Sequence, residues 1–118
     1  IITSNEEWVA LLNAQTEKFL TKDVVDRKLW RGTVSSKLQV LQLHEPQNFQ
    51  RIVERIQAEN VTRLGSTAVI LGCAGFSGLQ YKLAALIGGT FFVDPVVLGF
   101  RTLLTTANYL NEERARAM

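Results

Sequence analysis

Cysteine occurs once in this 118-residue chain, at Cys73, and its neighbours are those a reactive thiol needs. The apolar run Ala68-Val69-Ile70-Leu71 ends at Gly72-Cys73-Ala74-Gly75, after which Leu79, Leu83 and Leu86 recur at helical spacing. A thiol set between a buried strand and a helix start feels the helix dipole and free backbone N–H groups, which favour thiolate. Those N–H groups can also hold a carboxylate or an enolate oxygen. Gly72, Ala74 and Gly75 are small enough for a substrate to approach the backbone closely. On the residues alone two roles stay open for Cys73, because a free cysteine is also commonly a buried packing residue.

Other candidates are expected at the same edge of the fold, where α/β sheets bind ligands beyond the carboxyl ends of their strands. Thr3 and Ser4 close the first strand, and Asp94 follows the last. Each also has a structural role to fill. Ser4 with Glu7 has the spacing of a capping box, and Asp94 before Pro95 is a helix N-cap. His44 could serve as base to Cys73 only if the fold brought the two together, and a surface or capping role suits it better. Leu71 stands where a nucleophile elbow needs glycine, and no Gly-Lys-Ser/Thr closes a phosphate loop. Gly72, Gly75 and Gly78 do not have the dinucleotide spacing. No Cys/His/carboxylate cluster has metal-ligand spacing, so no metal site is expected.

The elements that must position these residues alternate along the chain. Ile1 to Thr3 reads as a strand end, and a helix with Trp8, Leu11, Leu12, Gln15 and Phe19 on its buried face follows. Leu29 to Val34 is expected as a short strand and Leu38 to Leu43 as an extended piece. Pro46 starts a second helix with a buried stripe of Phe49, Ile52, Val53 and Ile56. Ala68 to Leu71 reads as a central strand. The third helix after it stops at Gly88-Gly89. Thr90 to Val93 is the next strand. The last helix is expected to pack through Val97, Phe100, Leu103, Leu104 and Ala107 and to fray in the charged tail from Glu112. Trp8, Trp30, Phe49 and Phe100 read as packing residues. The order predicts an α/β fold with a parallel sheet covered on both faces.

With 47% hydrophobic and 20% charged residues, the chain has the make-up of a folded domain. One cysteine permits no internal disulfide and no Cys-x-x-Cys pair. A net charge of +2 is too small and scattered to argue for nucleic acid. Glycines interrupt the charge-free stretch from Arg63 to Lys82, which argues against a membrane span, and no secretion signal is visible. Asn60-Val61-Thr62 matches a glycosylation sequon by chance on this reading. The strand-like opening Ile1-Ile2-Thr3-Ser4 predicts a chain that starts inside a fold.

The run Val69-Ile70-Leu71-Gly72-Cys73-Ala74-Gly75-Phe76-Ser77-Gly78-Leu79 resembles the second cysteine motif of the aspartate/glutamate/hydantoin racemase superfamily. It is closest to the hydantoin and allantoin racemase branch, and in particular to fungal hydantoin-racemase-like proteins. Ile1-Ile2-Thr3-Ser4 with Trp8, the Leu38 to Leu43 segment and Phe91-Phe92-Val93-Asp94 are similar to other stretches of that family. The resemblance implies a two-lobed, three-layer α/β protein of which this chain is the second half. Residues 1–89 would form most of the second lobe, and residues 90–118 a strand and helix returning to the first. It implies a cytoplasmic, cofactor-free racemase of 5-substituted hydantoins or allantoin-type ureides in nitrogen catabolism, homo-oligomeric at full length. Two cysteines, one from each half, would exchange the proton from opposite faces of the substrate carbon. Cys73 would be the second-half thiol, with Thr3, Ser4, Gly72, Ala74, Gly75 and Asp94 around the small-molecule substrate. The first cysteine has no counterpart among these residues. The resemblance therefore also admits a decarboxylase or maleate-type isomerase using Cys73 alone, or a non-catalytic regulatory relative.

Overall fold

A computed structural model describes residues 1–118. Four short strands organise it: β1 (Ile2–Thr3), β2 (Val34–Ser35), β3 (Ala68–Ile70) and β4 (Phe91–Val93). They form two parallel pairs, β1 with β2 and β3 with β4, with Ile2 opposite Val34 and Val69 opposite Phe92. One parallel bridge between Ile2 and Leu71 sets the pairs side by side. Around it the Gly72 N–H donates to the Ile2 carbonyl at 2.8 Å, and the Leu71 N–H donates to the Val93 carbonyl at 2.9 Å. The strands therefore point the same way, and Thr3, Ser35, Leu71 and Val93 lie at one edge.

Five α-helices connect or flank the strands: α1 (Glu7–Glu17), α2 (Lys22–Asp26), α3 (Phe49–Arg55), α4 (Gln80–Leu86) and α5 (Pro95–Arg116). Pro46 fixes the backbone of a 3₁₀ turn, Pro46–Asn48, that leads into α3. The 3, 4, 7 spacing of Ile52, Val53 and Ile56 from Phe49 then puts one apolar stripe against the strands. Beyond Arg55 the helix widens into a π-helical stretch, Ile56–Arg63, closed by the Leu64 N–H on the Glu59 carbonyl five residues back. Asn60 is fully buried there, donating through Nδ2 to the Ile1 carbonyl at 3.2 Å. A glycan on this side chain is incompatible with that position.

The core is a single cluster of 14 buried apolar residues, so the two strand pairs share one interior. Ile2, Val34, Val69 and Phe92 enter it from the strands, Ile52, Val53 and Ile56 from the α3 segment, and Leu83 from α4. Arg55 ties the same helix to the strand edge by donating from Nε to the Ser35 carbonyl at 2.8 Å. Its guanidinium also pairs with Glu59 at 3.2 Å, and Arg63 pairs with Glu59 from the other side.

The expected three-layer lobe of a two-lobed racemase fold is not what forms. The sheet is broken into two pairs, and although β1 and β2 are buried on both faces, β3 and β4 are covered on one face only. Along β3 burial alternates, with Val69 enclosed and Ala68 and Ile70 exposed; across from it Phe91 is 76% exposed. The helix that should lie on that face, α5, has no buried residue. Val97, Phe100, Leu103 and Leu104 are all exposed, as is Ala107. Likewise α1 buries nothing, and Trp8 and Phe19 are 44% and 82% exposed. The packing roles expected of Trp8 and Phe100 therefore fail.

Local readings need correction too. The Ser4–Glu7 capping box is absent: Glu6 precedes α1 without a side-chain cap, and Glu7 accepts a hydrogen bond from Asn5. Of the Leu29 to Val34 region only Val34 is strand, continuing into Ser35. Leu38 to Leu43 is not extended, because Val40–Gln42 coils into a 3₁₀ turn closed by reciprocal Gln39 and Gln42 side-chain bonds. The charged tail stays helical to Arg116.

Two stability tests follow from this distribution. Ile56→Ala should cost about 2–5 kcal/mol in denaturant unfolding, as a large-to-small change in a closed core does. Phe100→Ser should stay within about 0.5 kcal/mol, as a surface change. The hydrogen bond from Arg63, helped by the positive charges of Arg63, Arg55 and Lys37, holds the Glu59 carboxyl below its ordinary range. A depressed carboxyl pKa contributes stability above the unfolded value and loses it as pH falls through the folded one. Glu59→Gln should therefore flatten the acid side of the stability profile while changing little once the pH has fallen below the folded value.

Candidate functional site

The Ile2–Leu71 bridge brings the ends of β1 and β3 together, and so brings Thr3 and Ser4 to Cys73. The Thr3 hydroxyl donates to the Gly72 carbonyl at 3.4 Å, and the Ser4 hydroxyl donates to Asn5 Oδ1 at 3.3 Å. Both side chains are almost wholly buried. With their protons used inside the chain, these hydroxyls face a ligand chiefly as acceptors.

Cys73 is half-buried and extended, and it caps a single 3₁₀ turn, Ala74–Phe76, through the Gly75 N–H, 3.4 Å from Sγ. The α-helix expected at this point begins only at Gln80. The thiol therefore meets a short turn and one directed N–H rather than a long helix axis. The Cys73 and Ala74 N–H groups make no hydrogen bond within the chain.

A cleft of about 280 Å³ opens at this point. Thr3, Ser4, Gly72 and Cys73 line it together with Trp8, Leu12 and Val40. Gly75 leaves room for Val40 there: a Cβ on Gly75 would stand 2.7 Å from Leu43 Cδ1 and 3.0 Å from the Val40 carbonyl. Gly72 is required for the strand junction, since its Cβ would stand 2.3 Å from Ile1 Cγ2. Its N–H is spent on Ile2.

Of the seven residues singled out from the sequence, Thr3, Ser4, Gly72 and Cys73 line this cleft. Ala74 and Gly75 flank it. Asp94 lies elsewhere, lining a second cleft of about 170 Å³, where its Oδ1 accepts the Val96 and Val97 N–H groups at 3.0 and 3.2 Å. It caps α5 and does not join Cys73. His44 is exposed and takes no part in the cleft. Sequence reasoning missed the apolar wall. Trp8 and Leu12 are one turn apart on α1, directly after the strand that ends at Thr3, and that proximity was the available signal. It also missed Ser35 and Ser36, whose hydroxyls both donate to the Ser4 carbonyl at 2.9 Å. They fix the β1 end from beneath.

Among known proteins the chain is similar to Protein DCG1 of Saccharomyces cerevisiae, 52% identical over 117 residues. The match covers 97% of this chain and 48% of that protein, so the chain spans about half the length of the relative. No protein-family model matches the chain, and no solved structure matches it. The resemblance to the aspartate/glutamate/hydantoin racemase superfamily is thereby corrected: the similarity found is to DCG1, and no racemase family model matches. No helix is long and apolar enough to cross a membrane.

The geometry separates Asp94 from Gly75 by experiment. Asp94→Ala should cost about 0.5–2 kcal/mol, the range for a lost N-cap, and leave the iodoacetamide alkylation rate of Cys73 unchanged. Gly75→Ala should cost about 1–3 kcal/mol by overpacking against Leu43, and should alter that rate.

Proposed function

We propose that this chain supplies one acid/base thiol, Cys73, of a cofactor-independent racemase acting on five-membered cyclic ureides such as 5-substituted hydantoins or allantoin. The observation that carries the reading is the Cys73 cleft, which a half-buried thiol lines together with the Thr3 and Ser4 hydroxyls. Thr3 and Ser4 offer acceptor oxygens, suited to ring N–H groups. The unpartnered N–H groups of Cys73 and Ala74 are suited to a ring carbonyl. A cyclic ureide carries both patterns, whereas a carboxylate would ask only for donors. Removing the proton beside a carbonyl leaves an enolate, and N–H donors near that oxygen lower the barrier to forming it.

Inversion needs an acid on the opposite face of the carbon from the base. Cys73 is the only titratable side chain lining the cleft. The second acid is therefore proposed to come from the rest of a full-length protein, of which the relative's greater length is the precedent. The same fact supports a second reading, in which Cys73 acts alone in a decarboxylation or a cis–trans isomerisation.

Polarimetry on an enantiopure 5-substituted hydantoin separates the readings, using the protein at its full natural length. Loss of rotation to zero is expected, with Cys73→Ser slower by about 10²-fold or more, the range for loss of a general acid or base. A Cys73→Ser variant with the wild-type rate would refute the thiol mechanism. No loss of rotation, together with Cys73-dependent CO₂ release from a 2-substituted malonate or conversion of maleate to fumarate, would favour the single-thiol reading.

A further inference from the structure

A cavity of about 420 Å³ lies against Ala68 and Ile70, the two exposed residues of β3, and shares no lining residue with the Cys73 cleft. Ile1 and residues 28–32 and 65–67 complete its lining. Its volume falls within the range of small-molecule sites, which run from about 300 to 1,000 Å³. Lys28 and Arg31 line it, and no aspartate or glutamate does. Neither cation has a carboxylate partner anywhere in the chain. Beside them α2 neutralises itself, with Lys22 on Asp26 and Arg27 on Asp23. The Ser66 and Thr67 hydroxyls also line the cavity and take part in no hydrogen bond within the chain. The Trp30, Arg31 and Thr67 N–H groups find no carbonyl.

Lys28 is held where a lysine is not needed for folding. The Leu29 N–H donates to the Val24 carbonyl and the Lys28 N–H to the Val25 carbonyl, each at 3.1 Å, which closes α2 in the manner usually left to glycine. Lys28 accordingly sits at φ +54°, in the left-handed region, where a side chain is strained and glycine is not.

We infer that this cavity is an anion site, taking a phosphate monoester that carries a flat ring. Two unpaired cations match a phosphate of nearly two negative charges, and its three oxygens can accept from the hydroxyls and free N–H groups. The fork of Arg31 suits phosphate geometry in particular. A single carboxylate would leave one cation unmatched. Trp30, half-buried, and Leu29, 53% exposed, offer the ring apolar surface. The site stands apart from Cys73 and does not depend on its role.

The test is calorimetric titration of the full-length protein at low salt with phenyl phosphate, adenosine 5′-monophosphate, adenosine and inorganic phosphate. At least one of the two ring phosphates is expected to bind, at least about tenfold tighter than adenosine, and to weaken as salt is added. Arg31→Gln and Lys28→Gly should each weaken it about tenfold or more. Lys28→Gly should melt no lower than the wild type, which separates lost binding from lost folding. Trp30→Ala should weaken the ring phosphate while changing inorganic phosphate by less than about twofold, and Cys73→Ser should change neither. Absence of binding by both ring phosphates, adenosine binding as tightly as they do, or unchanged binding in both cation variants would overturn the inference.

Discussion

The Ile2–Leu71 bridge, with the Gly72 N–H on the Ile2 carbonyl, is the contact on which the rest of the architecture depends. Without it the chain would be two unconnected strand pairs. With it, the core beneath is continuous and the ends of β1 and β3 lie side by side. Glycine at position 72 follows from the close approach, since any side chain there would collide with Ile1. The cysteine comes next in sequence and is thereby delivered to Thr3 and Ser4. One backbone hydrogen bond connects local sequence, core packing and the composition of the cleft.

The polar and the apolar residues that line the cleft come from different elements. The strand-end side is rigid: Ser4 is held by Ser35 and Ser36, β2 is held by Arg55, and Arg55 is anchored in the Glu59 ion-pair network. The apolar lining, Trp8, Leu12 and Val40, comes from α1, which buries no residue, and from the 3₁₀ turn at Val40. The bare face of β3 and β4 and the unburied length of α5 are a separate matter, with Phe91 and Phe100 standing open to solvent in these 118 residues.

Much of the local structure was legible because its causes are local. The Phe49, Ile52, Val53, Ile56 stripe, the N-cap at Asp94 and the glycine turn around Cys73 depend on spacing and backbone chemistry that a sequence states directly. The layer arrangement was not legible. Ala68-Val69-Ile70-Leu71 reads as a strand buried on both faces, yet only Val69 and Leu71 are enclosed. A continuous apolar run has the same letters whether both faces or one is covered. Leu38 to Leu43 failed for a different reason: its weak alternation was outweighed by the Gln39–Gln42 capping pair, which closes a turn. The cleft was half legible. Gly-Cys-Ala-Gly after a strand pointed to Cys73, but Trp8 and Leu12 carry the spacing of an ordinary buried helix face, and only the three-dimensional placement of α1 shows that they face a cavity.

The most direct test of the central claim is isotopic. One enantiomer of 5-benzylhydantoin is incubated in D₂O with the full-length protein to partial conversion, and the recovered substrate and product enantiomers are analysed separately by mass spectrometry. If Cys73 and an acid on the opposite face exchange the proton, deuterium enters the product enantiomer, the recovered substrate stays protonated, and Cys73→Ser abolishes the labelling. Labelling that persists unchanged in Cys73→Ser, or no labelling by the wild-type protein, would contradict the account.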